Sequence, residues 1–229
     1  MAARENTIPV DSKQPQEQEE RRAENPWNFK EGTYTEVCLP LYLHISTFKW
    51  IQFIVIVSQD PNYNQYWYSP HTISVMVEEI EHLGGEVAFL STPSLYFSVS
   101  EQCRSRSKIF EFDKKWSSDS NFVFYDFNKP EELPESLWHT FDVAVVDPPF
   151  ITEDVWIKYG RAVELLLRKH DESKVICTTI PENESVLNRI FSAKPTKFQP
   201  SIPHLVYQYN LFVNYDSSLF SKLNPEIMN

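Results

Sequence analysis

Glycine is scarce in this chain, with four in 229 residues against sixteen prolines. That scarcity disfavours a phosphate-cradling G-x-G-x-x-G loop, because a pyrophosphate needs the close backbone approach that glycine permits. A nicotinamide dehydrogenase is disfavoured with it. Cysteine is also rare. Cys38, Cys103 and Cys177 are far apart and odd in number, which suits neither a disulfide framework nor a zinc site, and a reducing compartment fits best. The six scattered histidines include no H-x-x-x-H pair, so no metal is expected. Basic charge is in deficit: the formal net charge is −11, and seven acids against five bases in residues 1–32 leave −9 on the remainder. A nucleic-acid binder is usually expected to show a basic face, because phosphate neutralisation dominates its affinity. Acidic balance points instead to a basic protein partner, or to no charged partner.

An uninterrupted membrane-length apolar run is missing too. Such a span needs about twenty mostly apolar residues. The stretch 37–57 is interrupted by Pro40, His44, Lys49 and Gln52, and it begins too far in for an ordinary signal peptide. A buried strand or an amphipathic covering segment is expected there, and a membrane partner is not.

What is present is a regular α/β pattern. Residues 1–32 are polar, with Gln, Glu and Arg clustered at 14–24, and are expected to form a disordered tail. Residues 33–63 form an apolar lead-in, and 64–229 a single domain. His71 to Leu83 has helical spacing and stops at Gly84-Gly85, a natural C-cap. Strands are expected at 86–91, 108–113, 121–126, 142–147 and 174–179, with late strands near 196–200 and 207–214. Helices are expected over Pro93–Cys103, Thr152–Lys169 and Glu182–Ser192, and a short helix or loop over Pro130–Trp138. Strands alternating with helices imply a mostly parallel sheet with both faces covered.

The most informative motif is Asp147-Pro148-Pro149-Phe150, at the end of the apolar run 141–146. Two prolines force the chain out of strand geometry and remove two backbone donors. Carbonyl oxygens are thereby left free beside a carboxylate that only accepts hydrogen bonds when ionised. Phe150 adds a flat apolar face. Together these groups suit an amine whose lone pair must be aimed at an electrophile. Asp113 and Asp126 also close strands in this reading, and ligands of open α/β sheets bind outside the C-terminal strand edges. Asp113 is expected to accept from a ribose diol, and Asp126 from an adenine amino group. Ser91-Thr92-Pro93 follows the first strand in place of a glycine loop, with Ser91 or Thr92 as a candidate helix cap. That turn suits a nucleoside without a pyrophosphate.

From about Asn64 to Leu219 the chain resembles the translation elongation factor 1-alpha lysine methyltransferases. These belong to the seven-stranded S-adenosylmethionine-dependent enzymes first described as N6-adenine methyltransferases. The resembling pieces are residues 65–69 (QYWYS), 91–96 (STPSLY), 110–116 (FEFDKKW), 124–128 (FYDFN), 141–150 (FDVAVVDPPF) and 213–217 (VNYDS). Two departures stand out: Phe150 replaces the usual tyrosine, and no polar helical lead-in precedes Asn64.

The resemblance implies a Rossmann-like α/β fold with helices on both faces of the sheet, and S-adenosyl-L-methionine as cofactor. It implies a cytoplasmic enzyme whose protein substrate is elongation factor 1-alpha. Asp147, Pro148, Pro149 and Phe150 are then expected to carry the transfer. Ser91, Thr92, Pro93, Asp113, Asp126, Asp147, Tyr66 and Trp67 would hold the cofactor, with Tyr66, Trp67 and Tyr68 as walls of the cofactor or substrate channel. Adenine N6-methylation of DNA or RNA is the rival enzymatic reading, and an inactive relative serving as an interaction module is a third.

Overall fold

The computed structural model describes residues 65–168 and 172–227. The expected tail, the apolar lead-in and Cys38 lie outside the described residues. Twelve regular elements carry the described chain: α1 (Pro70–Leu83), β1 (Val87–Leu90), α2 (Pro93–Tyr96), α3 (Glu101–Ser105), β2 (Ser107–Glu111), β3 (Phe122–Phe124), β4 (Val143–Val146), α4 (Glu153–Leu166), β5 (Lys174–Thr179), α5 (Glu184–Phe191), β6 (Lys194–Pro195) and β7 (Asn210–Val213). The seven strands form one sheet in the order β3-β2-β1-β4-β5-β7-β6. Pairing is parallel from β3 through to β5, and β7 runs antiparallel to both β5 and β6. Strand order reverses between β1 and β4, so a crevice opens there at the C-terminal edge.

Alternation along the strands divides the core. Ala88 and Leu90 of β1, with Ala144, Val146, Val175 and Cys177, face Trp156, Tyr159 and Val163 of α4. Val87 and Phe89, with Val143, Val145 and Ile176, face Ile73, Val77 and Ile80 of α1. Every residue of β1 and β4 is buried, as expected of parallel strands covered on both sides.

Several boundaries differ from expectation. The expected helix over 93–103 is two short ones, because Ser100 starts α3 afresh by accepting from the Cys103 N–H at 3.2 Å. β2 stops at Glu111 and β3 at Phe124, so Asp113 and Asp126 lie beyond their strands. The ladder of β2 with β3 ends at the pair Glu111 and Phe124. Neither Ser91 nor Thr92 caps α2 through its side chain: Thr92 occupies the cap position without that bond. The strand expected at 196–200 pairs earlier, at Lys194–Pro195, and the strand expected at 207–214 shortens to Asn210–Val213. Pro200 and Pro203 lack the N–H that a longer ladder would need.

Gly84 does end α1, with its N–H bonded to the Ile80 carbonyl at 3.3 Å. Gly85 follows with φ of +71°, and a Cβ there would meet the Asp142 carboxylate oxygen at 2.6 Å. That carboxylate accepts from Glu86 N–H at 2.8 Å and pairs with Arg168 at 2.5 Å, so it has little freedom to withdraw. Gly85→Ala combines left-handed strain with steric overlap, and a loss of about 2–4 kcal/mol in urea unfolding is expected. A loss below about 0.5 kcal/mol, the range of ordinary surface substitutions, would contradict this packing.

Candidate active site

The crevice at the strand ends holds a cavity of about 400 Å³. Of the twelve residues expected from the sequence, nine line it, namely Tyr66, Trp67, Ser91, Pro93, Asp126, Asp147, Pro148, Pro149 and Phe150. Tyr68, Thr92 and Asp113 do not.

Asp147 follows the last residue of β4, and its N–H makes the final bond toward β1, to the Leu90 carbonyl at 3.2 Å. Pro148 and Pro149 then carry the chain out of the sheet, for want of donors to continue it. Asp147 is partly buried and lines the cavity. Burial pushes its carboxyl up to about 7, against a smaller downward pull from the Tyr68 and Thr178 hydroxyls. The Tyr68 phenol donates to Asp147 Oδ2 at 2.5 Å and lies 2.6 Å from Thr178 Oγ1. Burial, then the Asp147 charge, holds that phenol well above its usual range, so it stays a donor.

Asp113 has a different task. It is buried, and its carboxylate accepts from the Lys115 N–H at 3.0 Å and from Gln65 Nε2 at 3.1 Å. Lys115 Nζ pairs with it at 2.8 Å and also reaches Gln65 Oε1 at 2.9 Å. Burial pushes this carboxyl up, but the Lys115 and Gln65 bonds outweigh that and leave it below the usual range. Its place in the structure is a clamp that ties the chain at Gln65 to the turn after β2.

The carboxylate that β2 delivers to the cavity is Glu111. It is the last strand residue, is buried, and lines the cavity. Its Oε1 accepts the N–H groups of Phe112 and Asp113, at 2.9 and 3.1 Å, which leaves Oε2 for a ligand. Burial lifts this carboxyl to about 7. The sequence signal for Glu111 was available: it lies two positions before Asp113 within the same motif, one residue after the buried pair Ile109-Phe110.

Tyrosines form the cavity floor. Tyr159 of α4 shares a 2.6 Å hydrogen bond with Ser91, whose φ of +56° turns its hydroxyl there. Tyr125 packs edge-on to Tyr159, with ring centroids 5.5 Å apart. The Tyr125 hydroxyl is buried with no hydrogen-bond partner among the described residues. A buried hydroxyl without a partner is costly; Tyr125 lines the cavity, but its oxygen is closed off from solvent. Asp126 holds the next turn by accepting from the Asn128 N–H at 2.9 Å. Phe127 and Phe150 make the outer wall, 6.3 Å apart and edge-on, with Phe150 half exposed. Among the described residues no group of three or more His, Cys, Asp or Glu could hold a metal. No helix there is long and apolar enough to cross a membrane.

Comparison with known proteins places this geometry in a family. The family described as probable N6-adenine methyltransferase matches residues 59–217, more than two thirds of the chain. The EEF1A lysine methyltransferase 1 of Bos taurus is 31% identical over 182 residues, covering 76% of this chain and 79% of that protein. Its Homo sapiens counterpart is 32% identical over 174 residues, covering 72% and 79%. The protein-lysine N-methyltransferase EFM5 of Saccharomyces cerevisiae is 26% identical, covering 71% and 75%. Among solved structures, the branched-chain polyamine synthase of Thermus thermophilus, in complex with N4-aminopropylspermidine and 5′-methylthioadenosine, superimposes with a TM-score of 0.52 at 12% identity. That match covers 73% of this chain and 62% of that one, and it speaks to the fold alone. The chain belongs to the probable N6-adenine methyltransferase family and has the Rossmann-like fold of S-adenosylmethionine-dependent methyltransferases.

Proposed function

We propose that this protein is an S-adenosylmethionine-dependent protein-lysine N-methyltransferase acting in the cytoplasm on translation elongation factor 1-alpha. The observation that carries the reading is Asp147: a carboxylate at the edge of a central strand, held by a phenol and facing the cavity. The names of curated relatives support a protein lysine as acceptor, and those that name EEF1A support the factor as substrate.

The cavity fits the cofactor. Its volume of about 400 Å³ lies in the usual small-molecule range of about 300–1,000 Å³. Glu111 offers a carboxylate to a ribose diol, and Asp126 an acceptor for an amino group. Phe112 and Phe127 add flat apolar faces. The ribose role expected of Asp113 passes to Glu111, since Lys115 and Gln65 already occupy Asp113. When bound, the cofactor supplies an electrophilic methyl group on its sulfonium.

The chain's own residues prepare the amine. A lysine ammonium has a pKa of about 10.4, while the Asp147 carboxyl sits at about 7. Passing one proton from the first to the second is uphill by about 4–5 kcal/mol if both values hold. Entry of the ammonium into this cavity lowers its pKa by desolvation and narrows that gap. The proton therefore leaves to solvent, Asp147 stays ionised, and the neutral amine donates its N–H groups to the Asp147 carboxylate and the Pro148 carbonyl. Its lone pair is then fixed toward the methyl group. The new methylated ammonium faces the Phe150 ring, which favours cations. The acidic net charge suits a basic protein surface better than a nucleic acid.

The direct test is labelled methyl transfer by the pure protein, with elongation factor 1-alpha and adenine-containing oligonucleotides as alternative acceptors. Label in a lysine of the protein is expected, together with a loss of about a hundredfold or more in Asp147→Ala at nearly unchanged cofactor affinity. Robust labelling of the oligonucleotide and none of the factor would replace this reading with the nucleic-acid one.

Glu111 and Asp113 are separable by calorimetry. Glu111→Ala is expected to raise the cofactor dissociation constant about tenfold or more, the scale of a hydrogen bond to a charged group. Asp113→Ala should lower thermal stability and change affinity much less. Equal losses of affinity would return Asp113 to the ribose.

A further inference from the structure

Tyr68 was expected only to wall the channel, yet its surroundings give it a narrower task. It is 2% exposed, with its ring in the core beside α1 and its hydroxyl at the strand ends. The following residue fixes it in place. Ser69 caps α1 by accepting the Thr72 N–H at 3.1 Å, and its own N–H bonds the Ser201 carbonyl at 2.8 Å. The phenol therefore meets Asp147 from a backbone that is anchored at the next residue.

A phenol has one proton, and an ionised carboxylate can only accept. With the Tyr68 proton on Asp147 Oδ2, the 2.6 Å contact to Thr178 must have the Thr178 hydroxyl as donor. Thr178 lies on β5, is 1% exposed, and ends this chain of bonds inside the core. Tyr68 thus donates to one carboxylate oxygen with the Thr178 hydroxyl behind it, and Thr178 also exerts a smaller pull of its own on Asp147.

We propose that Tyr68 is a positioning residue for methyl transfer. By occupying Oδ2 it locks the Asp147 carboxylate in the rotamer that presents Oδ1 to the acceptor nitrogen in the cavity, and Thr178 sets the phenol's direction. The same bond favours the ionised carboxylate over the protonated one, which works against burial. The inference rests on the lysine-transfer reading only in taking Asp147 as the group that meets the acceptor amine.

The test uses Tyr68→Phe, which keeps the ring in the core and removes only the hydroxyl, with Thr178→Val and Thr178→Ser beside it. Two readouts are taken: the carboxyl carbon shift of Asp147 against pH in the protein alone, and the pH dependence of kcat. In Tyr68→Phe the Asp147 titration and the acidic limb of kcat should both move upward by about one pH unit or more. The fall in kcat should exceed any change in KM or cofactor affinity. Thr178→Val should shift both in the same direction by less, and Thr178→Ser should restore wild-type behaviour. If Tyr68→Phe fails to fold, a Thr178→Val titration unchanged from wild type overturns the proposal. So does a folded Tyr68→Phe with unmoved titration and pH profile. Wild-type protein that methylates no lysine, beside variants that show the predicted Asp147 titration shifts, would defeat the lysine reading and leave the positioning role standing.

Discussion

Strand β4 runs parallel between β1 and β5, and its neighbours leave no choice about where it ends. Leu90 pairs with Val146, and Val146 with Cys177, so the next residue emerges at the sheet's C-terminal edge whatever its identity. That residue is Asp147, and the two prolines after it cannot extend the ladder. The carboxylate is thereby set at the switch point, where it lines the cavity. The arrangement works against stability. Asp147 and Glu111 both have carboxyls raised to about 7, above the roughly 4 of an unfolded chain. Between those values the folded state binds more protons than the unfolded one, so their contribution to stability is lost as pH rises from about 4 to about 7. Function and stability pull in opposite directions at these two positions.

Much of this was legible in the sequence because it follows from short-range rules. Continuous apolar runs gave the buried parallel strands, and Lys174–Thr179 falls where its apolar and β-branched residues put it. Gly84-Gly85 closes α1 because only that pair tolerates two successive positive φ values there. The D-P-P-F motif was legible for the same reason: proline's missing donor acts locally.

What was not legible depends on contacts between distant segments. Asp113 looked like a strand end because Lys108–Asp113 keeps a strand-like composition, but pairing with β3 stops at Glu111. Past that point Asp113 does what aspartate does at a turn, accepting the N–H two residues on. Glu111 takes the cavity position that the alternation of a shorter strand would have given it. Tyr68 could be placed near the site but not oriented, since its partners lie 79 and 110 residues away. The unpaired hydroxyl of Tyr125 is likewise a property of packing, invisible to spacing.

The central claim is that Asp147 meets the nitrogen that receives the methyl group. A crystal structure with a demethylated cofactor and a lysine-bearing peptide of elongation factor 1-alpha tests it most directly. The account predicts the lysine Nζ within about 2.6–3.2 Å of Asp147 Oδ1. It also predicts that Glu111 contacts the ribose. A lysine nitrogen bound beyond hydrogen-bond reach of Asp147, with the cofactor seated in this cavity, would contradict it.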